Sequence, residues 1–432
     1  MSRTPAERIV EFLSFSSESG DCVLELDGLR PRTWEHVLRW LDDAGLPFYF
    51  LQKLKSTNTT ESVPSQVMSR LERDFSGQRQ RVEYMSKRFG FLNQKFNDAG
   101  VRYAVLKGFS LVPEFCPNPL LRYQGDFDYL VDDESLPAAR QALVEAGYIQ
   151  KPSPSNQELI FLMPGMGAPS RNTDYSAHAP HAVELHLDIW DCELDRVSLI
   201  PKLFTVEQAR PQQWNGLTFP ALVDEDAFLL QVLHACHHFF SYWIRMSCLL
   251  EIGYFLNRRA CDEPLWGRVE QRVGDNPVLR EFVVVVTELA AKLFAAPLPR
   301  LVRDWGAKIR SGSRVWIESY ARSWAFCDPP VVEFGLFPKA KLVRFLHRQY
   351  RDNGSARNPM VRDLILPSSR IVRIASSLRD KPSLAFDAAW WKRQLLISRS
   401  LFYVLGWLRY FCEIPRWRWR NWARTRSAPL DA

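Results

Sequence analysis

The most constraining stretch of the chain is Gly125-Asp126-Phe127-Asp128-Tyr129-Leu130-Val131, two carboxylates set two apart inside a run of strand formers. Residues two apart on a strand point to the same side. The pattern therefore predicts a strand presenting Asp126 and Asp128 together on one face. Two such groups cannot easily both stay ionised and buried without a cation between them. Mg²⁺ (or Mn²⁺) is the natural partner, since Mg²⁺ is held by one or two carboxylates plus substrate phosphates. A later segment, Ala182 to Trp190, alternates strictly and predicts a second strand with Glu184, His186 and Asp188 on one face. A third carboxylate beside the pair would complete a two-metal phosphoryl-transfer site. Glu184 is the preferred third acid, with Asp188 also available.

A glycine turn precedes the pair. Val105-Leu106-Lys107-Gly108-Phe109-Ser110 reads as a strand running into a loop and a short helix. Gly108 would let the backbone approach a phosphate closely, and Ser110 would donate to it. Lys107 and Arg122 bracket the site with positive charge suited to a triphosphate.

The remaining pattern divides the chain into a helical N-terminal region (1–100), an α/β core (101–222), a helical domain (223–350), and a linker with a basic, Trp-rich tail (351–432). Trp34, Val37, Leu38 and Leu41 share one helix face, and a long helix is expected from Ser65 to Ala99. Residues 56–62 read as a loop, and Leu136–Ala146 as a short helix stopped by Gly147. Residues 151–180 read as a long loop or irregular hairpin. One helix is expected from Asp224 or Asp226 through to about Leu256, with others at 276–297, 313–324 and 339–350. Asn353–Pro359 reads as a loop.

Charge is unevenly spread. The chain carries 56 Lys and Arg against 49 Asp and Glu. From Ala389 onward there are nine basic residues and two acids, so that segment alone accounts for the net +7. The body is near neutral, which argues against a long nucleic-acid acceptor. The tail interleaves Trp and Arg through residues 390–426. Such a segment suits a helix docked on the body, a membrane surface, or stacking on single-stranded nucleic acid. No segment reaches the ~18–20 apolar residues of a membrane span. The eight cysteines form no CxxC pair and read as reduced, mostly buried thiols of a cytoplasmic protein. His234, His237 and His238 with Cys236 suggest zinc, but no HExxH or second ligand pair accompanies them, and packed histidines are favoured.

Taken together, Lys-Gly-x-Ser after a strand, then an Arg, then Gly-Asp-x-Asp, then an acid on a later strand resembles the DNA-polymerase-β nucleotidyltransferase superfamily. The closer resemblance is to the bacterial uncharacterised nucleotidyltransferase family. It rests on Leu106-Lys107-Gly108, on Arg122 through Asp126, Asp128 and Val131, and on Glu184-Leu185-His186, and it continues to a His-containing helix around His234–Glu251. It covers roughly residues 30–375. The resemblance implies an α+β fold: a polymerase-β-like nucleotidyltransferase core with a small mixed sheet, flanked by N- and C-terminal helical regions. It implies metal-dependent transfer of a nucleoside monophosphate from an NTP to an acceptor hydroxyl, with release of pyrophosphate. Asp126, Asp128 and Glu184 would be the metal-binding and catalytic acids, and Lys107, Gly108, Ser110 and Arg122 would bind the nucleotide. The acceptor stays open among a small molecule, RNA and protein; no long DNA is expected. Two departures stand out: the superfamily's third acid is usually Asp, and the turn reads Gly-Phe-Ser rather than Gly-Ser. A second reading is a non-catalytic nucleotide-binding or scaffold protein held at a membrane by residues 390–426.

Overall fold

The structure is a computed structural model. It describes residues 3–16, 26, 29–153, 155–164, 175–177, 179–192, 197–199, 202–240, 244–326, 340–350 and 385–427, with the side chains of the last helix described from 404 onward. The chain divides into two compact units. The first is Met1–Asp195 with Leu199–His237 and Ile244–Ala307; the second is Arg196–Ser198, His238–Trp243 and Lys308–Ala432.

The first unit opens with helices α1 (Pro5–Phe12), α2 (Pro31–Ala44), α3 (Pro47–Ser56) and α4 (Ser65–Asp98). The first three begin on proline, whose missing N–H is one the first turn would leave unbonded anyway. Thr4 and Glu7 close a capping box on α1. The long α4 matches the helix expected from Ser65 to Ala99.

A mixed sheet follows. Its strands are β1 (Tyr103–Val105), β2 (Asp126–Val131), β3 (Ile149–Lys151), β4 (Glu158–Leu162), β5 (Ala182–His186), β6 (Arg210–Trp214) and β7 (Leu217–Ala221), in the order β3-β4-β5-β2-β1-β7-β6. Strand β2 runs antiparallel to β1 and parallel to β5, and β1 runs parallel to β7. The sheet is thus larger than the small one expected. Part of segment 151–180 forms the β3–β4 hairpin; the rest of it includes residues outside those described. The β6–β7 hairpin turns on Asn215-Gly216, both at positive φ (48° and 76°). That is the pair a two-residue hairpin turn of matching twist demands.

Helices α4 and α5 (Leu136–Glu145) cover one face of this sheet. Met85, Phe89, Leu92 and Phe96 of α4 and Ala139, Ala142 and Leu143 of α5 pack on Phe127, Tyr129 and Val131 of β2 and on Val183 and Leu185 of β5. Each such large side chain removed from water contributes roughly 1.5–3 kcal/mol. Strand alternation then turns Asp126, Asp128, Glu184 and His186 to the opposite face. Several polar groups on the packed side are hydrogen-bonded. The Tyr148 hydroxyl accepts from Arg88 (3.1 Å) and lies 2.9 Å from Nε2 of the fully buried His181. Arg81, buried in α4, donates to the carbonyls of Gln124 (2.9 and 3.1 Å) and Ala179 (2.9 Å), just ahead of β2 and β5.

Beyond the sheet come α6 (Asp224–Phe240), α7 (Met246–Arg259), α8 (Glu263–Val273), α9 (Pro277–Phe294) and α10 (Arg300–Gly306). The single helix expected from Asp224 to Leu256 is therefore two. Arg245, ahead of α7, has an extended backbone (φ −70°, ψ 125°), incompatible with an unbroken helix. The second unit contains α11 (Ser311–Ser319), α12 (Ala321–Ala325), α13 (Arg344–Tyr350) and α14 (Ala385–Ser427). The loop expected at Asn353–Pro359 lies outside the described residues. Among the described residues, no helix is long and apolar enough to cross a membrane. Six cysteines are described: Cys116, Cys236 and Cys248 are buried, and Cys192, Cys261 and Cys412 are exposed. Burial thus holds for half of these six: Cys261 lies in a turn and Cys412 on an exposed part of α14.

Candidate active site

The parallel pairing of β2 with β5 sets the site. Its register places Asp128 beside Glu184 and Leu130 beside His186. Asp128, Glu184 and His186 each bring a ligand atom within 4.8 Å of the others. Among the described residues they are the one set of three or more His, Cys, Asp and Glu side chains so arranged. The group His234, Cys236, His237 and His238 is not such a set.

Asp126 stands outside this set of three, next to Asp128 on the same strand face. Residues two apart on one strand are separated by two rises of about 3.3 Å, whereas neighbouring strands lie only about 4.8 Å apart. The cross-strand partner Glu184 sits directly beside Asp128, and His186 fills the third place. Asp126 remains close enough for its charge to act on Asp128's surroundings, and the two carboxylates raise each other's cost of ionisation. The alternation ends at His186. Asp188 lies past the strand, and its Oδ1 accepts from the amides of Ile189 (2.7 Å) and Trp190 (3.4 Å), so it serves the local turn rather than the acid cluster.

Asp128 is almost fully buried. Its Oδ1 accepts from Lys107 Nζ at 2.8 Å and lies 3.2 Å from His186 Nε2, which is also 3.8 Å from Glu184 Oε2. Burial acts to raise the Asp128 carboxyl, but the Lys107 ammonium and the His186 ring outweigh it and hold the group below the ordinary carboxylate range. Asp126 and Glu184 go the other way. Burial first, then the charge of Asp128, pushes both up, Glu184 well above its ordinary value. Burial likewise opposes the Lys107 charge, yet Asp128, Asp126 and Glu184 together hold the ammonium above its usual value. The cluster thus contains three carboxylates and a single lysine. Glu184 keeps 20 % of its side chain open to solvent, so the cluster is reachable.

Gly108 adopts φ +70°, and a Cβ there would lie 2.3 Å from Gln124 Nε2. That same nitrogen donates to the Asp126 carbonyl at 2.9 Å. The glycine therefore lets Gln124 brace the start of β2, a packing role the sequence reading did not include. The Ser110 hydroxyl turns back to the Lys107 carbonyl (3.3 Å) within a 3₁₀ turn, Gly108–Leu111. Arg122 does not point to an open site edge alone: its Nε lies 3.2 Å from Glu251 Oε1 of α7. Burial works against the Arg122 charge, but Glu251 and then Asp126 hold the guanidinium above its ordinary value. Arg245 adds a further positive charge that favours ionisation of both Asp126 and Glu251. Arg245 lies immediately ahead of α7 and Glu251 in its second turn, so both come to the Asp126 end from the start of that helix. His186 was visible on the acid face; its reach back to Asp128 was not.

The donor set, two carboxylates and an imidazole with a third carboxylate adjacent, fits a divalent cation. Comparison with known proteins bears on the chemistry. The family model for uncharacterised nucleotidyltransferases matches residues 30–295, more than half of the chain and all seven strands. No curated protein matches the chain significantly. With that span of agreement, covering the acid cluster and the sheet that holds it, the chain belongs to the uncharacterised nucleotidyltransferase family.

Proposed function

We propose that the protein is a metal-dependent nucleotidyltransferase with a polymerase-β-like core, moving a nucleoside monophosphate from an NTP to an acceptor hydroxyl. The observation that carries this reading is the convergence of Asp128, Glu184 and His186 beside Asp126, in a member of this family. Asp126, Asp128 and Glu184 would hold Mg²⁺ or Mn²⁺. The imidazole of His186 makes the donor set less exclusively hard than carboxylates alone, which admits Mn²⁺ beside Mg²⁺. When bound, the cation supplies neutralising charge and Lewis acidity at the phosphate oxygens.

The rest falls to the chain's own groups. The acceptor oxygen bonds to the α-phosphorus, the bond from that phosphorus to the bridging oxygen breaks, and pyrophosphate leaves. Glu184, which keeps a fifth of its side chain open to solvent, takes the hydroxyl proton. Lys107 offsets triphosphate charge, and Arg122 with Arg245 supplies positive charge at the Asp126 end. The turn at Gly108–Ser110 faces the phosphates with its backbone amides. Catalysis is mainly positioning and electrostatics. A small molecule, an RNA or a protein side chain serves as acceptor.

The test is calorimetric titration of the chain with Mg²⁺ and Mn²⁺, followed by pyrophosphate release from labelled NTPs. Wild type binds cation and nucleotide; Asp128→Asn and Glu184→Gln lose cation binding. Equal cation affinity in wild type and both variants would sink the proposal.

A further inference from the structure

Over its described side chains, from Val404 onward, helix α14 docks on its own unit by one side. Trp407 and Tyr410 are buried, Trp417 stacks on Phe345 at 4.7 Å, and Tyr410 packs on the same ring at 4.7 Å. The other side is apolar and exposed. Val404, Leu408, Phe411, Trp419 and Trp422 are 44–65 % exposed. At 3.6 residues per turn these five fall within about 80° of one another, a straight stripe of roughly 27 Å. Pro415 lies on the same line. A single soluble chain seldom leaves so many large apolar side chains in one row.

The flanks of the stripe are basic. From Val404 to Ser427 the helix carries Arg409, Arg416, Arg418, Arg420, Arg424 and Arg426 against one acid, Glu413. Arg418 and Arg426 border the stripe directly, and Arg426 sits 4.5 Å over the Trp422 ring. Arg416 and Arg424 meet Glu413 and Glu318 at the exposed edge, pairs of the kind that solvent weakens. Tryptophans ringed by arginines match the headgroup level of a bilayer, and the aliphatic end matches its acyl boundary. Single-stranded nucleic acid would need spaced aromatic platforms along the whole track; Val404 and Leu408 offer a base nothing to stack on.

We infer that the exposed stripe of α14, Val404 to Trp422 with its arginine borders, lies on an anionic lipid surface. The helix binds in the plane of the interface and does not span it, in keeping with the absence of any spanning helix among the described residues. The buried side stays on the second unit while the stripe enters the headgroup region.

Flotation of the full chain with phosphatidylcholine vesicles, with and without phosphatidylserine, tests this. The chain is expected to float with the anionic vesicles and to be released as salt rises. Leu408→Ser/Phe411→Ser should lower partitioning at least about tenfold, the scale of burying one large apolar side chain. Arg418→Glu/Arg426→Glu should lower it roughly fivefold or more per site. Both pairs are exposed and should leave the unfolding midpoint unchanged. Equal flotation with neutral and anionic vesicles overturns the inference, as does flotation insensitive to both double variants. So does a dimer in solution that Leu408→Ser/Phe411→Ser dissolves while vesicle binding is absent, since a second copy would then cover the stripe.

Discussion

The two faces of the β2–β5 strand pair are made from adjacent residues of the same two strands, yet they are built on opposite principles. On one face Phe127, Tyr129, Val183 and Leu185 are sealed against α4 and α5. Its one imidazole, His181, is kept neutral by burial, which pushes it down to about 4. On the other face Asp126, Asp128 and Glu184 stand together beside Lys107, with Arg122 and Arg245 at the Asp126 end. The first face is packed shut. The second brings two carboxylates and an imidazole together with a third carboxylate adjacent, a donor set that fits a divalent cation. Stability should therefore reside on one face and cation binding on the other, and substitutions should separate them.

Phe127→Ala gives the largest effect. It removes a ring that is stacked near Phe89 and edge-on to His181, and should cost about 3–5 kcal/mol in urea unfolding. Cation affinity of the folded fraction should be unchanged; a parallel loss would break the separation of the faces. Asp128→Asn should do the reverse. Pyrophosphate release should fall about 10²–10³-fold, equivalent to roughly 2.7–4 kcal/mol. Its urea midpoint should move less than that of Phe127→Ala.

His181 adds a pH dependence that belongs to the sealed face. Its folded value lies below the ordinary 6.5, so the unfolded chain binds more protons between the two. The stability it contributes is present above about pH 6.5 and is lost as pH falls toward 4, by about 2–3 kcal/mol. His181→Phe should flatten that acid limb in thermal melts; an unchanged slope would show that other groups carry it. The smallest effect is from the ligand. Mn²⁺ at ten times its Kd should stabilise the wild type by about 1.4 kcal/mol and leave Asp128→Asn unmoved. Calorimetric melts with and without the cation read the difference.

Much of this geometry was legible in the chain itself. Alternation through Asp126–Val131 and Ala182–His186 announced both strands and which acids share a face, because period two is a local property. The α4 helix was equally plain from its periodicity. Register was not legible: nothing local to either strand says that Asp128 meets Glu184, so the place of His186 beside both was invisible. The Arg122–Glu251 pair was hidden for a related reason, since it joins segments 129 residues apart across the break before Met246. The β6–β7 hairpin is different. Asn215-Gly216 between Trp214 and Leu217 is a strong turn signal, local and therefore readable from the chain. Trp and Arg in the tail were apparent by composition, but only the docked side of α14 shows which residues remain outside.

Arg81 has one more consequence. A single guanidinium grips the approach to β2 at Gln124 and the approach to β5 at Ala179. Fraying of either strand from that end must strip charge-assisted hydrogen bonds from a side chain with almost no access to water. The two strands therefore open together or not at all, and the slowest amide exchange in the sheet should be shared between them. A tie of this kind keeps the spacing of Asp128 and Glu184 constant through thermal motion. A cation arriving there would meet donors already at their working separation and would have no backbone to rearrange.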